Sequence, residues 1–335
     1  MSEEVLYSNS GGLISGIASY VKRLCPNIKI IGVETRDACA MTESLMAGER
    51  VTVSQVGLFA DGAAVRSVGV ETFRLASSLV DEMVLVSTDE ICAAIKDAFE
   101  DTRGILEPAG ALGIAGCKKY IQEKGISGKK FVTIASGANM NFDRLRFVAD
   151  RADMGEKTEV LLSVVIPEQP GTFVKLCNAI QPRSITELSY RYGDDHTAHI
   201  FLSCRVTDRE AEVAQIMDKL RANGMDPTDA THNEMAKGHA RYLVGGRKNV
   251  PNERIFRFAF PERPGALQHF LNKLKNPLWN LALFHYRNYG GDVAKVMIGI
   301  QVPPHTSEEF DLFLTSLGYP HVEETGNAVY QNFLR

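Results

Sequence analysis

The feature that most constrains how this chain can fold is an internal repeat in its second half. IPEQPGTF begins at Ile166 and FPERPGAL at Phe260, which sets Pro167 and Pro261 94 residues apart. Each copy is preceded by an apolar strand, EVLLSVVI or RIFRFAF, and followed by a helix with apolar periodicity. Each then carries a Tyr-Arg pair on a second strand, SYRYGDD at 189–195 and HYRNYGGD at 285–292, with Tyr190 and Tyr286 96 residues apart. A third strand follows (TAHIFLSCRV, DVAKVMIGIQV), and then a helix opened by Asp208 or Thr306. Self-similarity in so many elements at a nearly constant offset marks one supersecondary unit used twice. The unit reads βαββα with a short final strand, so the repeat gives two α+β βαββαβ lobes, at 159–235 and 254–335. The segment between them, ending GGRKNVPNER, is polar and reads as a linker.

Residues 1–155 have a different rhythm. Leu13, Ile14, Ile17, Ala18, Val21 and Leu24 recur at helical spacing, and Pro26 closes that helix. IKIIGVE (28–34), MVLVS (83–87) and FVTIA (131–135) are short apolar runs, the pattern of strands buried on both faces of a parallel sheet. Ser87 and Glu90 form a capping box at the start of EICAAIKDAFED, and Pro108 opens a further helix. The expected class is α/β with an open, mostly parallel sheet.

Charge narrows the partners. Thirty-seven basic and 41 acidic residues leave a net charge of −4, which gives no electrostatic case for nucleic acid. No apolar run is long enough to span a membrane, so no membrane association is expected. The N-terminus MSEEVLYSNS is acidic and resembles neither a secretory signal nor an Arg-rich transit segment, so a cytoplasmic location is expected from sequence. Six cysteines without a CxxC pair predict neither a zinc site nor a disulfide framework.

Three motifs lie near expected strand ends. SNSGGLISG (8–16) is a Gly-rich turn opening a helix, which offers unpaired N–H groups to an anion or is simply a tight turn. SGAN (136–139) puts the Ser136 hydroxyl at the carboxyl edge of the sheet, as a ligand contact or an ordinary cap. EPAGA (107–111) places Glu107 just before a helix, as a site carboxylate or a charge favouring the helix dipole.

With SNSGGLISGIASYVKRL, RVTVSQVGLFADGAAVRSVG, EICAAIKDAFEDTRGILEPAGALGIAG and ASGANMNFDRLRFVADRA in sequence, the chain resembles biosynthetic threonine deaminase from about residue 10 to the end. The resemblance implies part of a fold-type II pyridoxal-phosphate domain followed by two ACT-like regulatory lobes. It implies pyridoxal 5′-phosphate as cofactor, threonine as substrate, 2-oxobutanoate and ammonia as products, and the first step of isoleucine biosynthesis. Isoleucine and valine are the implied effectors and a homotetramer the implied assembly. Mitochondrial or plastid placement is implied where a leader has been lost.

Carried over by residue, the family's tetraglycine phosphate loop falls on Asn9, Ser10, Gly11, Gly12 and Leu13, with two of its four glycines replaced. Ser136 matches the serine facing the cofactor's pyridine nitrogen, and Glu107 the position near its substituted face. Related enzymes place a cation site after GVE, where this chain has Glu34, Ala38 and Ala40, so no metal is expected. The Pro-Gly turns at Gly171 and Gly265 would expose amides to an amino-acid carboxylate, as ACT lobes do. Tyr190 and Tyr286 would line two pockets between the lobes, with Arg191 and Arg287 beside them, against the plain alternative of strand tyrosines packed at a rim. Arg241 in HARYLVGG is a candidate for coupling the lobes. The family also needs a lysine that bonds covalently to the cofactor, in a segment before the phosphate loop, and no lysine here has that context. Two readings follow: a threonine ammonia-lyase present as a truncated, inactive chain, or a catalytically dead partner that senses isoleucine or valine.

Overall fold

Strand-length apolar runs separated by helices can bury both faces of a sheet only if the helices cross over it, and residues 4–155 fold that way. The computed structural model describes residues 4–8, 11–193, 196–238, 242, 246, 248–261, 265–287 and 293–335. These fall into two compact units, residues 1–156 and 157–335. No helix among the described residues is long and apolar enough to cross a membrane.

The first unit holds β1 (Glu4–Ser8), β2 (Lys29–Thr35), β3 (Glu82–Val86) and β4 (Phe131–Thr133) in the order β3-β2-β1-β4. All three pairings are parallel. Helix α1 (Gly12–Leu24) joins β1 to β2, while α4 (Thr88–Thr102) and α5 (Pro108–Lys124) join β3 to β4. Those two connections travel in opposite directions along the sheet, so right-handed crossovers put them on opposite faces. The core divides accordingly, with Ile14, Ala18 and Ile30 in one cluster and Ile31, Val33, Ile91 and Leu112 in another. The strand at Glu4–Ser8 was not expected; its acidic surroundings and short length hide a central strand that only its neighbours on both sides stabilise. Helices α2 (Ala40–Ala47) and α3 (Val70–Leu79) were likewise not read from the sequence.

Glu34, near the end of β2, turns out to be a structural cap. Its carboxylate accepts from the Met41 amide (3.0 Å) and from the amide (2.8 Å) and hydroxyl (2.7 Å) of Thr42, closing the start of α2. Burial nevertheless holds its pKa above the ordinary carboxylate value. The capping box is formed as expected: the Ser87 hydroxyl accepts from the Glu90 amide at 3.2 Å and the Ser87 amide donates to Glu90 at 2.6 Å. Ser87→Ala should destabilise the chain by about 1 kcal/mol, the usual effect of losing an N-cap oxygen, measured by urea unfolding.

Helix α6 (Arg144–Gly155) ends the unit and packs on α4. Lys96 joins the two through Asp153 (2.7 Å) and Glu156 (2.8 Å), and Arg151 pairs with Asp89 at 3.0 Å. A Cβ at Gly155 would come within 1.9 Å of the Asp89 carbonyl oxygen, so the close helix crossing depends on that glycine.

The second unit contains the repeat. Lobe 1 comprises β5 (Glu159–Pro167), α7 (Thr172–Ile180), β6 (Ile185–Arg191), β7 (Thr197–Arg205), α8 (Arg209–Ala222), β8 (Asp226–Asp229) and a short α9 (Glu234–Gly238). Lobe 2 comprises β9 (Glu253–Pro261), α10 (Ala266–Lys273), β10 (Asn280–Arg287), β11 (Val293–Gln301), α11 (Ser307–Leu317), β12 (His321–Glu323) and α12 (Ala328–Phe333). The lobes share one eight-stranded antiparallel sheet, β12-β9-β11-β10-β6-β7-β5-β8, joined where β10 meets β6. At that seam Tyr190 lies opposite Phe284 and Leu188 opposite Tyr286, with Ser189 facing His285 at the centre. This is a pseudo-two-fold arrangement, since the repeat offset carries one pair onto the other. Period-two residues such as Leu162, Leu202, Phe258 and Ile298 supply one sheet face, and helices α7, α8, α10 and α11 cover it in a single core.

Candidate functional site

In the first unit, strand register brings two of the motifs to one edge. Leu6 pairs with Thr133, so the chain leaving β1 toward Gly11 and the chain leaving β4 toward Ser136 emerge at the same carboxyl edge. Gly11 is the N-cap of α1 with φ +99°, and no side chain caps that end. A Cβ at Gly11 would approach Thr72 Oγ1 to 2.9 Å and Met41 Cε to 3.0 Å, so both conformation and space demand glycine. Gly12 has open space instead, and Leu13 is half-buried in the first turn. The amides that open α1 have no intrahelical acceptor and form the positive end of the helix dipole. Asn9 and Ser10 lie outside the described residues.

Ser136 is exposed at the second strand end. The neighbouring turn is fixed by α5: the Glu107 amide donates to the Gly137 carbonyl oxygen at 3.0 Å. A Cβ on Gly137 would lie 2.2 Å from Glu107 Oε1, and one on Gly110 would lie 2.4 Å from the Gly137 oxygen. The structure thus brings Glu107 against the Ser136–Gly137 turn. No lysine of this unit stands at that turn. Lys22, Lys96, Lys119 and Lys124 are paired with Asp81, Asp153 and Glu156, Glu90 and Glu82, and Lys118 with Asp97. Lys29 opens β2, while Lys129 and Lys130 precede β4, at the opposite edge.

An anion-accepting helix start, a hydroxyl and a carboxylate at one sheet edge suit the phosphate, the ring nitrogen and the substituted face of pyridoxal phosphate. The required φ at Gly11 and the crowding that excludes a Cβ there make that turn a cradle for backbone contact. By these criteria the residues present fit the group, apart from the missing amine.

Among the described residues of the second unit, a pair of cavities is related by the pseudo-two-fold. The larger, about 540 Å³, joins the turn and start of α10 with the connection from α7 to β6, and Tyr286 lines it. The smaller, about 190 Å³, joins the turn and start of α7 with the connection from α10 to β10, and Tyr190 lines it. Gly171 and Gly265 each hold φ +89° as N-caps, and each lines its cavity. Each cavity therefore takes its turn and tyrosine from one lobe and its opposite wall from the other.

The two arginines of the Tyr-Arg pairs do not line these cavities, which corrects the expectation for Arg191 and Arg287. A strand alternates its faces, so a residue next to the tyrosine points through the sheet. Arg191 is buried there and pairs with Glu253, each side chain only 1% exposed. It also donates to the carbonyl oxygens of Ala282 (3.3 Å), Lys248 (3.0 Å) and Leu334 (2.7 Å). Tyr330 Oη donates to Glu253 at 2.5 Å, so the ion pair ties β6, β9 and the C-terminal helix together. Arg287 lies 5.4 Å from the Tyr242 ring centroid. Arg241 lies outside the described residues.

The sequence reading missed Arg183, which lines the larger cavity. Its Nε donates to Glu212 and its Nη2 to Gln215 at 3.2 Å. The side chain is only 9% exposed, yet Nη1 has no hydrogen-bond partner among the described residues. Glu212 is held well below the usual carboxylate range, at about 2, by the amides of Asp208 and Thr207 and then by Arg183. In the same wall, burial pushes the Cys177 thiol up to about 12, so it stays neutral. Arg183 thus puts a buried guanidinium with one unpaired donor into the wall of the larger cavity. A lone Arg in a helix-to-strand connection has no sequence signature; only the repeat offset, which sets that connection against the opposite turn, would have drawn attention to it.

Comparison with known proteins adds to this geometry. A family described as pyridoxal-phosphate dependent enzyme matches residues 5–137. The C-terminal regulatory domain of threonine dehydratase matches twice, at 150–240 and 244–334. The mitochondrial threonine dehydratase of Saccharomyces cerevisiae is 54% identical over 337 residues, 97% of this chain and 58% of that protein. The biosynthetic L-threonine dehydratase of Burkholderia multivorans is 51% identical over 325 residues, 97% of this chain and 64% of that protein. The Escherichia coli counterpart is 45% identical over 325 residues, covering 97% and 63%. The chain spans roughly three-fifths of the length of these curated relatives.

Proposed function

We propose, from the premise that this chain belongs to the threonine dehydratase family, that it serves the deamination of L-threonine to 2-oxobutanoate and ammonia under feedback control by a branched-chain amino acid. The observation that carries the regulatory half is the larger cavity. On this reading the amides after Gly265 and the guanidinium of Arg183, whose buried Nη1 is unpaired among the described residues, receive the effector's carboxylate, while Phe260, Phe284 and the Tyr286 ring flank its aliphatic side chain. Isoleucine is the effector this reading expects, with valine a weaker alternative.

For the other half, the helix start at Gly11, Gly12 and Leu13 would hold the phosphate of pyridoxal phosphate. Ser136 would face the ring nitrogen, and Glu107 fixes the turn that presents it. When bound, the cofactor supplies the electron sink that lets an amino acid lose its α-proton. Ser136 would offer the ring nitrogen a neutral hydroxyl in place of the aspartate that stabilises a protonated ring elsewhere. Because no described lysine of the first unit stands at the turn, a second reading is supported alongside: an effector-sensing subunit with no catalysis of its own.

Calorimetric titration of the chain with isoleucine, valine and threonine tests the receptor. Isoleucine should bind below millimolar, and Tyr286→Ala should weaken it by about 1–3 kcal/mol, the scale for a truncated aromatic anchor. No binding by any of the three would sink the proposal. Assaying the same preparation for 2-oxobutanoate separates the two readings, since turnover would rule out the sensing-only subunit.

A further inference from the structure

A third segment reaches the edge where Glu107 meets the Ser136–Gly137 turn: the tight turn Asp61–Ala63. A Cβ on its Gly62 would lie 3.0 Å from Ala109 Cβ and 3.8 Å from Glu107 Oε1. Glu107 Oε1 therefore has a glycine close to it in each of two turns, Gly62 and Gly137. On either side of Asp61 and Gly62, Ala60 and Ala63 are buried in the same core as Ala109 and Leu112. So short a 3₁₀ turn fixes little of its own conformation and needs an external hold.

That hold comes from α6. Asp61 Oδ1 accepts from the Gly62 amide at 3.0 Å, and Oδ2 accepts from Arg144 Nη2 at 3.3 Å. Arg144 Nη1 donates to the Phe59 carbonyl oxygen at 3.3 Å, so one guanidinium grips the segment at two points. One helical turn on, the Phe147 ring meets the Phe59 ring at 5.1 Å between centroids. The Arg151 guanidinium covers Phe147 at 4.6 Å and is itself held by Asp89 of α4. Arg144, Phe147 and Arg151 follow the spacing that puts side chains on one face of a helix.

We propose that Arg144 and Phe147 are positioning residues for the cofactor edge: they hold the turn Asp61–Ala63 against Glu107 and so keep its carboxylate beside Gly137. The bearing on pyridoxal phosphate rests on the cofactor reading above; the clamp itself does not. Arg144 acts through Asp61, whose other oxygen orients the Gly62 amide. Phe147 acts through Phe59, with Arg151 holding the ring in place. Loosening either contact lets the turn lift from α5 and frees the Glu107 side chain.

Hydrogen exchange and ligand affinity, both on the full chain, test the clamp. In Arg144→Met and in Phe147→Ala the amides of residues 59–64 should exchange about three- to tenfold faster, the scale of one lost hydrogen bond or aromatic pair. Amides of α4 should keep their rates, because Lys96 still joins that helix to Asp153 and Glu156. Affinity for pyridoxal phosphate should fall by about the same factor. Affinity for inorganic phosphate should not, since the turn at Gly11 rests on Thr72 and Met41 instead. Arg144→Lys, which keeps a cation opposite Asp61, should recover part of the loss. Unchanged exchange at 59–64 in both variants would overturn the clamp. Unchanged affinity for pyridoxal phosphate, or equal weakening of both ligands, would overturn the positioning role. If the intact chain binds no pyridoxal phosphate, the cofactor reading falls and the positioning role with it, while the exchange rates still decide the clamp.

Discussion

Arg191→Met should lower the stability of the regulatory unit by about 3–5 kcal/mol, among the largest single-residue effects in the chain. The guanidinium and the Glu253 carboxylate are both almost wholly buried, so removing one partner strands the other in a medium that cannot solvate it. Three backbone carbonyl oxygens lose a donor at the same time. For a unit of this size the loss corresponds to a fall in melting temperature of about 10 °C. Differential scanning calorimetry of the full chain measures it. Adding Glu253→Leu to Arg191→Met should recover much of the loss, because the second change removes the stranded charge. A double variant no more stable than the single would show that the damage lies in packing and not in the charge.

Arg183→Met should weaken isoleucine binding by about 2–4 kcal/mol, or 30- to 1,000-fold, if its guanidinium meets the carboxylate in a buried site. The fold should survive, because Glu212 keeps its hydrogen bonds from the Thr207 and Asp208 amides at 2.7 and 3.0 Å. Acid provides a second probe of the same contact. Glu212 has a folded pKa of about 2, below the ordinary carboxylate value of 4.5. Its contribution to stability is therefore complete above the unfolded value and is lost as pH falls toward the folded one. Calorimetric titrations at pH 7 and pH 5 should accordingly agree. Binding by Arg183→Met equal to that of the intact chain would remove Arg183 from the receptor.

The repeat and the parallel-strand runs were readable because they are local: alternation, apolar continuity, a capping box at Ser87 and turns at Gly171 and Gly265. The pairing of β6 with β10 was not, since no local pattern says which strand lies at a lobe's edge and which edge meets its copy. That pairing sends Arg191 through the sheet to Glu253, which is why the residue beside the tyrosine proved structural. Helices α9 and α12 are too short to show a period, and α9 sits in a stretch that reads as polar linker; packing, not propensity, makes them helical. Glu107 and Ser136 were legible singly, but their meeting depends on Gly110 and Gly137 allowing α5 to approach the turn. Arg183 was invisible because what distinguishes it is an unsatisfied donor, a property of surroundings and not of residue type.

The seam at Ser189 and His285 has a consequence for how such a unit can change over generations. Two separate identical subunits meeting along a two-fold axis must carry every substitution on both sides of it. Here both halves of the axis are written in one chain, and each position on the seam is encoded independently of its mate. Trp279 could therefore enter one pocket while Ser184 and Thr186 lined the other, without either change being imposed twice. Tandem fusion keeps the geometry of a symmetric pair and frees its two sites to diverge in shape and lining.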